Sequence, residues 1–223
     1  MDDAEARCGL RERKKLATRH ALHDAALRLA FERGLEHLTI EEISAAAGVS
    51  ARTFFNYFPG KEQAILGDDI LQPDAGQAAA IMSDAADVLD GLYSIAMALF
   101  AGMVSRREQV LMRWQLVERY PALLSRMFAR FEEFDKVLAS AVAARTGAAP
   151  DDAYPQLMAA VGGAAMRVAV RRWTAGHGDH PLERLVSEVF GLLRDGLSPY
   201  GPQRPSGPRE ASQARRAGAG RAG

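Results

Sequence analysis

Arg52, Thr53, Phe55, Asn56, Tyr57 and Lys61 fall within a stretch of ten residues. Their chemistry is recognition rather than bond making. A guanidinium forks onto guanine O6 and N7, an Asn amide pairs with an adenine edge, and a Phe55 ring or Thr53 methyl suits the thymine methyl. Each good bidentate pair discriminates between bases by about 1–3 kcal/mol. The Tyr57 hydroxyl, the Lys61 ammonium and the backbone N–H groups behind Thr39 suit phosphate oxygens, contacts that orient a protein on a duplex without reading sequence.

Presenting such groups to a groove requires a short helix braced from behind. Thr39 followed by Glu42 is a capping-box spacing that predicts a helix over about 41–47, stopped at Gly48. Ser50 caps a further helix over about 51–57, which ends before Pro59-Gly60. The turn Gly48-Val49-Ser50 between them has helix-turn-helix proportions. Ile40, Ile43, Ala47, Val49, Phe54 and Phe58 are spaced to pack inward, leaving Arg52, Thr53, Asn56 and Tyr57 on the opposite face with Phe55 partly exposed. An earlier helix over 15–33 carries Leu16, Leu22, Ala26, Leu29 and Ala30 and stops at Gly34, and a fourth over 61–71 is stopped by Pro73. Spacing alone leaves a second reading open, an ordinary surface helix with Arg52 and Lys61 merely solvated.

The run from Leu38 to Glu62 resembles the N-terminal signature of the TetR family of regulators, through Gly48-Val49-Ser50, Tyr57-Phe58 and Lys61-Glu62. The specific part of the likeness spans about 17–66. It implies a double-stranded DNA operator as partner, with Tyr57 and Lys61 on phosphates. Base reading by Arg52, Thr53, Phe55 and Asn56 carries over less directly, because relatives often have tyrosine where Phe55 stands. Loss of that phenol favours an apolar base contact.

Beyond Pro73 helix follows helix, with breaks expected at 105–106, 120–121, 147–152 and 176–181, and no strand-like alternation. Five helices are expected there. The fold class is all-α: a flexible basic arm at 1–14, a three-helix helix-turn-helix DNA-binding domain at 15–60, a larger helical ligand-binding and dimerisation domain at 61–198 entered through the fourth helix, and a disordered tail at 199–223. Met97, Phe100, Met103, Trp114, Phe128, Phe131, Met166 and Trp173, with Met112, Met127 and Phe134, supply adaptable apolar surface. Each of these residues also suits an ordinary core. By the resemblance the group would hold a small amphipathic or apolar effector. Arg113 and Arg119 stand beside it, as partners for an anionic ligand or for interhelical ion pairs.

The resemblance also implies a homodimer built on the last two helices, over about 152–174 and 181–197. The first carries Gly162-Gly163-Ala164-Ala165, and the second Leu182, Leu185, Val186, Val189, Phe190 and Leu193. Two recognition helices on one two-fold axis read a pseudo-palindrome. The expected outcome is a ligand-released repressor.

Formal net charge is zero, which by itself argues against coating nucleic acid, yet residues 7–33 hold eight basic and three acidic side chains. The arm at 11–19 is placed either to follow DNA or simply to solubilise the terminus. The tail arginines, Arg204, Arg209, Arg215, Arg216 and Arg221, allow the same two readings, with the solvated one favoured. Cys8 is the single cysteine, so no intramolecular disulfide or multi-cysteine zinc site forms, in keeping with a cytoplasmic location. No signal peptide and no apolar run near 18 residues is present, so no membrane association is expected. His177 and His180 with Asp179 suggest a metal site only weakly, since Pro181 marks a helix start there. No phosphate loop, nucleophile elbow or carboxylate pair is present, so catalytic residues, metal and cofactor are all expected to be none. The competing readings are a helical interaction protein without DNA binding and a metal-dependent enzyme.

Overall fold

The computed structural model describes residues 2–67, 74–176 and 180–196, with the backbone alone for 2–12. Among them the chain forms helices and no strand: α1 (Asp2–Arg33), α2 (Ile40–Ala46), α3 (Ala51–Phe55), α4 (Lys61–Leu66), α5 (Ala75–Asp84), α6 (Val88–Val104), α7 (Arg107–Arg119), α8 (Pro121–Thr146), α9 (Ala153–Ala175) and α10 (Leu182–Arg194). The fold is all-α. Helix α1 begins at Asp2 rather than near residue 15, because Ala4, Glu5, Ala6, Leu10 and the charged residues after them are good helix formers interrupted only by Gly9. The segment expected as an arm is a continuation of α1.

Six helices rather than five follow residue 73 among the described residues. The additional break falls at Ala85–Asp87, where Asp87 Oδ1 accepts the backbone N–H of Asp90 at 2.8 Å and starts α6. An Asp N-cap satisfies a donor that a continuous helix would not expose, so the chain turns there.

Two apolar cores result. The first joins Leu22, Leu27, Leu38, Ile43, Phe54, Phe58, Ile65 and Leu66 to Leu116, Val117, Tyr120, Leu123 and Met127 of α7 and α8. Helix α4 thus packs into the N-terminal core instead of opening the second domain. The second core is built from α5, α6, α8, α9 and α10 around Leu92, Ile95, Phe134, Leu138, Val142, Met166 and Phe190. Leu182, Leu185, Val186, Val189 and Phe190 are all buried within it.

Residues assigned from sequence to close approach between protomers are used inside one protomer. A Cβ on Gly162 would lie 3.0 Å from Leu92, and one on Gly163 would lie 2.3 Å from Asp135 Oδ1. These glycines let α9 approach α6 and α8. The surface that α9 and α10 leave outside carries Tyr154, Leu157 and Leu192 instead. No single described helix is long and apolar enough to cross a membrane; α6 and α7 pass such a test only together, and they meet at a 101° bend.

Candidate nucleic-acid interface and ligand cavity

Helix α2 is held at its start by a complete capping box. Glu42 N–H donates to Thr39 Oγ1 at 3.2 Å, and Thr39 N–H donates to Glu42 Oε2 at 3.0 Å. The bond from the Thr39 backbone N–H, and then that from the Thr39 hydroxyl, hold the Glu42 carboxyl below its ordinary pKa, with help from Arg33, whose Nη1 lies 3.2 Å from Glu42 Oε1. The Thr39 hydroxyl also donates to Glu42 Oε2 at 3.0 Å, so the side chain of Thr39 is spent on starting α2. Gly48, at φ +69°, makes the turn into α3.

Ser50 caps α3 by accepting Thr53 N–H at 3.1 Å, and its hydroxyl meets that of Thr53 at 2.9 Å. The Thr53 hydroxyl is therefore engaged locally and its methyl is the part left for a partner. Helix α3 ends at Phe55, two residues earlier than expected. Asn56 and Tyr57 continue in tighter turns, with N–H bonds to Thr53 and Phe54 carbonyls at 3.1 and 2.9 Å. Phe54 and Phe58 are fully buried and pack with ring centres 6.0 Å apart and planes tilted by 46°. Outward from that anchor stand Arg52, Phe55 and Asn56, all exposed, with Tyr57 half-buried beside them. Phe55 is 56% exposed, a large cost in apolar surface for a free helix face.

Lys61 is turned inward more than the sequence suggests. Its Nζ donates to the carbonyls of Leu35 and Leu38 at 2.8 and 2.9 Å. The ammonium ties α4 to the segment leading into α2, and one of its three N–H groups is left for another acceptor. Arg19 of α1 lies over the Phe58 ring at 5.0 Å, bracing the same corner.

The helical domain holds a cavity between α6, α7, α8 and α9, lined by Phe100, Arg113, Trp114, Met127, Phe131, Phe134, Gly163, Met166, Arg167 and Val170. Of the residues expected around a pocket, Phe100, Trp114, Phe131 and Met166 meet here. The other four do not. Phe128 is 58% exposed on the outer side of α8, one step round the helix from the wall. Met97 is half-buried against the second core, Met103 lines a separate cavity at the α1 boundary, and Trp173 is buried under Arg107, whose guanidinium lies 5.4 Å from its ring centre. Arg119 stacks on Tyr120 at 5.4 Å and takes no part in the cavity. The sequence singles out Met127, Phe134 and Arg113, whereas Val170 and Arg167 become wall residues only through packing.

The cavity volume is about 30 Å³, room for a water or two. Larger guests must part its walls, which Met127 and Met166 can do at low cost. Arg167 sits 3.8 Å from Asp135 Oδ1, and burial pushes the Asp135 carboxyl above its ordinary pKa against the pull of that arginine. Of the weak metal-site candidates, His177 and Asp179 lie outside the described residues. No group of three or more His, Cys, Asp or Glu able to hold a metal occurs among the described residues.

Residues 22–65 match the family described as bacterial regulatory proteins, tetR family, and residues 86–198 match the MftR C-terminal domain. The chain is 35% identical over 212 residues to the HTH-type transcriptional regulator TcmR of Streptomyces glaucescens, covering 86% of this chain and 87% of that protein. In fold it is similar to the fatty acid degradation regulator FadR of Bacillus halodurans, with a TM-score of 0.55 at 22% identity over 81% of this chain and 96% of that one. It is similar also to Thermus thermophilus FadR, a repressor solved with lauroyl-CoA, with a TM-score of 0.51 at 22% identity over 85% of this chain and all of that one. With the braced, polar-faced α3 after the Gly48 turn and both halves of the chain matched, the protein belongs to the TetR family and is a DNA-binding transcriptional regulator.

Proposed function

We propose that two copies of this chain bind a pseudo-palindromic operator as a repressor and leave it when a small apolar or amphipathic effector enters the helical domain. The observation that carries this reading is the division of α3, with Phe54 and Phe58 buried and Arg52, Phe55 and Asn56 exposed. Arg52 and Asn56 take base edges, and Phe55 and the Thr53 methyl take thymine methyls. Tyr57 and the remaining N–H of Lys61 take phosphates, while Thr39 sets the start of α2.

Pairing of protomers is supported by the exposed Tyr154, Leu157 and Leu192, which are 51%, 61% and 38% exposed on α9 and α10. A dimer must bring its two α3 helices into major grooves about 34–36 Å apart. An effector that binds a conformer of different spacing lowers DNA affinity by its differential binding energy. A cavity that must open to admit a guest suits such a conformer, and a repressor of the same fold carries the amphipathic lauroyl-CoA. The chain acts by binding alone, at the chromosome in the cytoplasm, without metal or cofactor.

Selection of the purified protein against a random duplex pool, followed by affinity measurement on the enriched sequence across a salt series, tests the reading. Enrichment of an inverted repeat, with affinity falling steeply as salt rises, is the expected result. Weak binding without enrichment would overturn it in favour of a helical interaction protein.

A further inference from the structure

The apolar cavity of the helical domain holds about 30 Å³, so a guest larger than water enters only where its wall yields. Two other hollows adjoin that wall. One, of about 270 Å³ where α1 meets α6 and α7, shares Arg113 with it. Arg113 is 4% exposed and its Nη2 donates to His23 Nε2 at 2.9 Å, so a buried, hydrogen-bonded side chain closes that side. The other is an open groove of about 570 Å³ between α8 and the start of α9, with Glu132, Asp135, Lys136, Asp151, Gln156 and Ala160 in its lining.

Between the groove and the cavity stands one ion pair. Asp135 lines the groove and Arg167 lines the cavity. Arg167 Nη1 lies 3.8 Å from Asp135 Oδ1, and the two side chains are 33% and 30% exposed. That separation is too long for a hydrogen bond. The same two atoms are buried with no hydrogen-bond partner among the described residues. Burial raises the pKa of the Asp135 carboxyl more than Arg167 lowers it, so the attraction does not recover the desolvation of the acid.

Glycine at position 163 makes room for the pair. A Cβ there would lie 2.3 Å from Asp135 Oδ1 and 3.1 Å from Arg167 Nη1. The Arg167 guanidinium also lies over the Phe131 ring at 5.0 Å, and Phe131 and Gly163 are both cavity wall. Turning Asp135 and Arg167 aside exposes that wall to the groove.

We propose that the groove between α8 and α9 is the vestibule through which the effector enters, and that Asp135 and Arg167 form the latch between vestibule and cavity. This rests on the ligand-release reading and gives it a route. The latch opens by parting a loosely held ion pair and closes behind the guest. It therefore sets the rates of entry and exit and leaves affinity to the cavity wall.

N-phenyl-1-naphthylamine, an uncharged apolar dye, serves as the guest. Its binding to the full chain is followed by stopped flow, read by energy transfer from Trp114 in the cavity wall. In Asp135→Ala the rates of entry and exit are expected to rise together by about 2- to 5-fold, as loss of a part-exposed ion pair allows, with Kd held within about 2-fold. Gly163→Ala, which pushes the carboxylate aside without removing a charge, should speed the natural protein likewise and add nothing to Asp135→Ala. Leu16→Ala, at the exposed edge of the hollow beside α1, should change neither rate.

Unchanged rates in Asp135→Ala overturn the latch, and so does a change confined to exit, which would make Asp135 a wall residue only. Gly163→Ala that acts equally with and without Asp135 overturns it as well. Faster entry in Leu16→Ala places the route beside α1 and overturns the vestibule. Absence of saturable dye binding by the natural protein overturns the reading that this cavity admits an apolar guest, and the route with it. Saturable binding with rates that no variant alters overturns the route alone.

Discussion

The Nζ of Lys61 lies 2.8 Å from the carbonyl oxygen of Leu35, joining the first residue of α4 to the segment that precedes α2. A second bond to the Leu38 carbonyl at 2.9 Å makes Lys61 a clamp on the helix-turn-helix as well as a cation beside it. Lys61→Ala leaves two part-buried carbonyls without this donor and is expected to destabilise the fold by about 1–3 kcal/mol. Thermal unfolding measures that loss. If the third N–H meets a phosphate, the same variant lowers the salt slope of DNA binding by about one. A variant as stable as the natural protein would contradict the clamp.

Tyr57→Phe removes one hydroxyl and no packing atoms. The Tyr57 hydroxyl makes no hydrogen bond among the described residues, so unfolding temperature should stay where it is. DNA affinity should fall by about 0.5–1.5 kcal/mol, equally on every duplex that binds. Affinity on the enriched duplex and on two single-base mutants of it separates this from a base contact.

Arg52→Ala and Asn56→Ala should each relax preference at one base position per half-site, by about 1–3 kcal/mol, and leave the fold intact because both side chains are exposed. Repeating the selection with each variant reads this directly. Unchanged preference at every position would remove the residue from the reading set.

Phe54 is wholly buried between α2, α3 and the first core. Phe54→Ala is expected to cost about 3–5 kcal/mol of stability. Denaturant unfolding should show it, together with loss of DNA binding, since α3 loses its anchor.

Glu42 has a folded pKa below its ordinary value of 4.5, chiefly through the Thr39 backbone hydrogen bond. A lowered folded pKa contributes stability that is present above the unfolded value and is lost as pH falls through the folded one. The stability difference between the natural protein and Glu42→Gln should therefore hold steady near neutrality and shrink below about pH 4 to 5, where unfolded carboxylates begin to protonate. Melting both proteins between pH 3 and 7 provides the comparison. A difference that grows on acidification would contradict the assignment.

Much of the local geometry around α2 and α3 was legible from local rules. The Thr39–Glu42 box, the Ser50 cap and the four-residue spacing of Phe54 and Phe58 each act within one turn, so their consequences survive whatever the rest of the chain does. Phe128 marks the limit of the same reasoning. Helical periodicity places it beside Phe131, and the two rings do meet edge-on at 6.3 Å, yet Phe128 stays 58% exposed and only Phe131 reaches the cavity wall. Gly162 and Gly163 show it again, since small residues announce a close approach without naming the helix that approaches.

By itself the sequence determined the all-helical class, the helix-turn-helix and the side chains that α3 exposes, because caps, turn glycines and 3.6-residue periodicity are short-range physics. Only tertiary structure decided that Lys61 clamps carbonyls 26 and 23 residues away and that Arg113 meets His23 across 90 residues. The docking of α7 and α8 against α1 and α4 was settled at the same level. Those pairings depend on which faces of separate helices bury one another, and that choice is made by the packing of both cores at once.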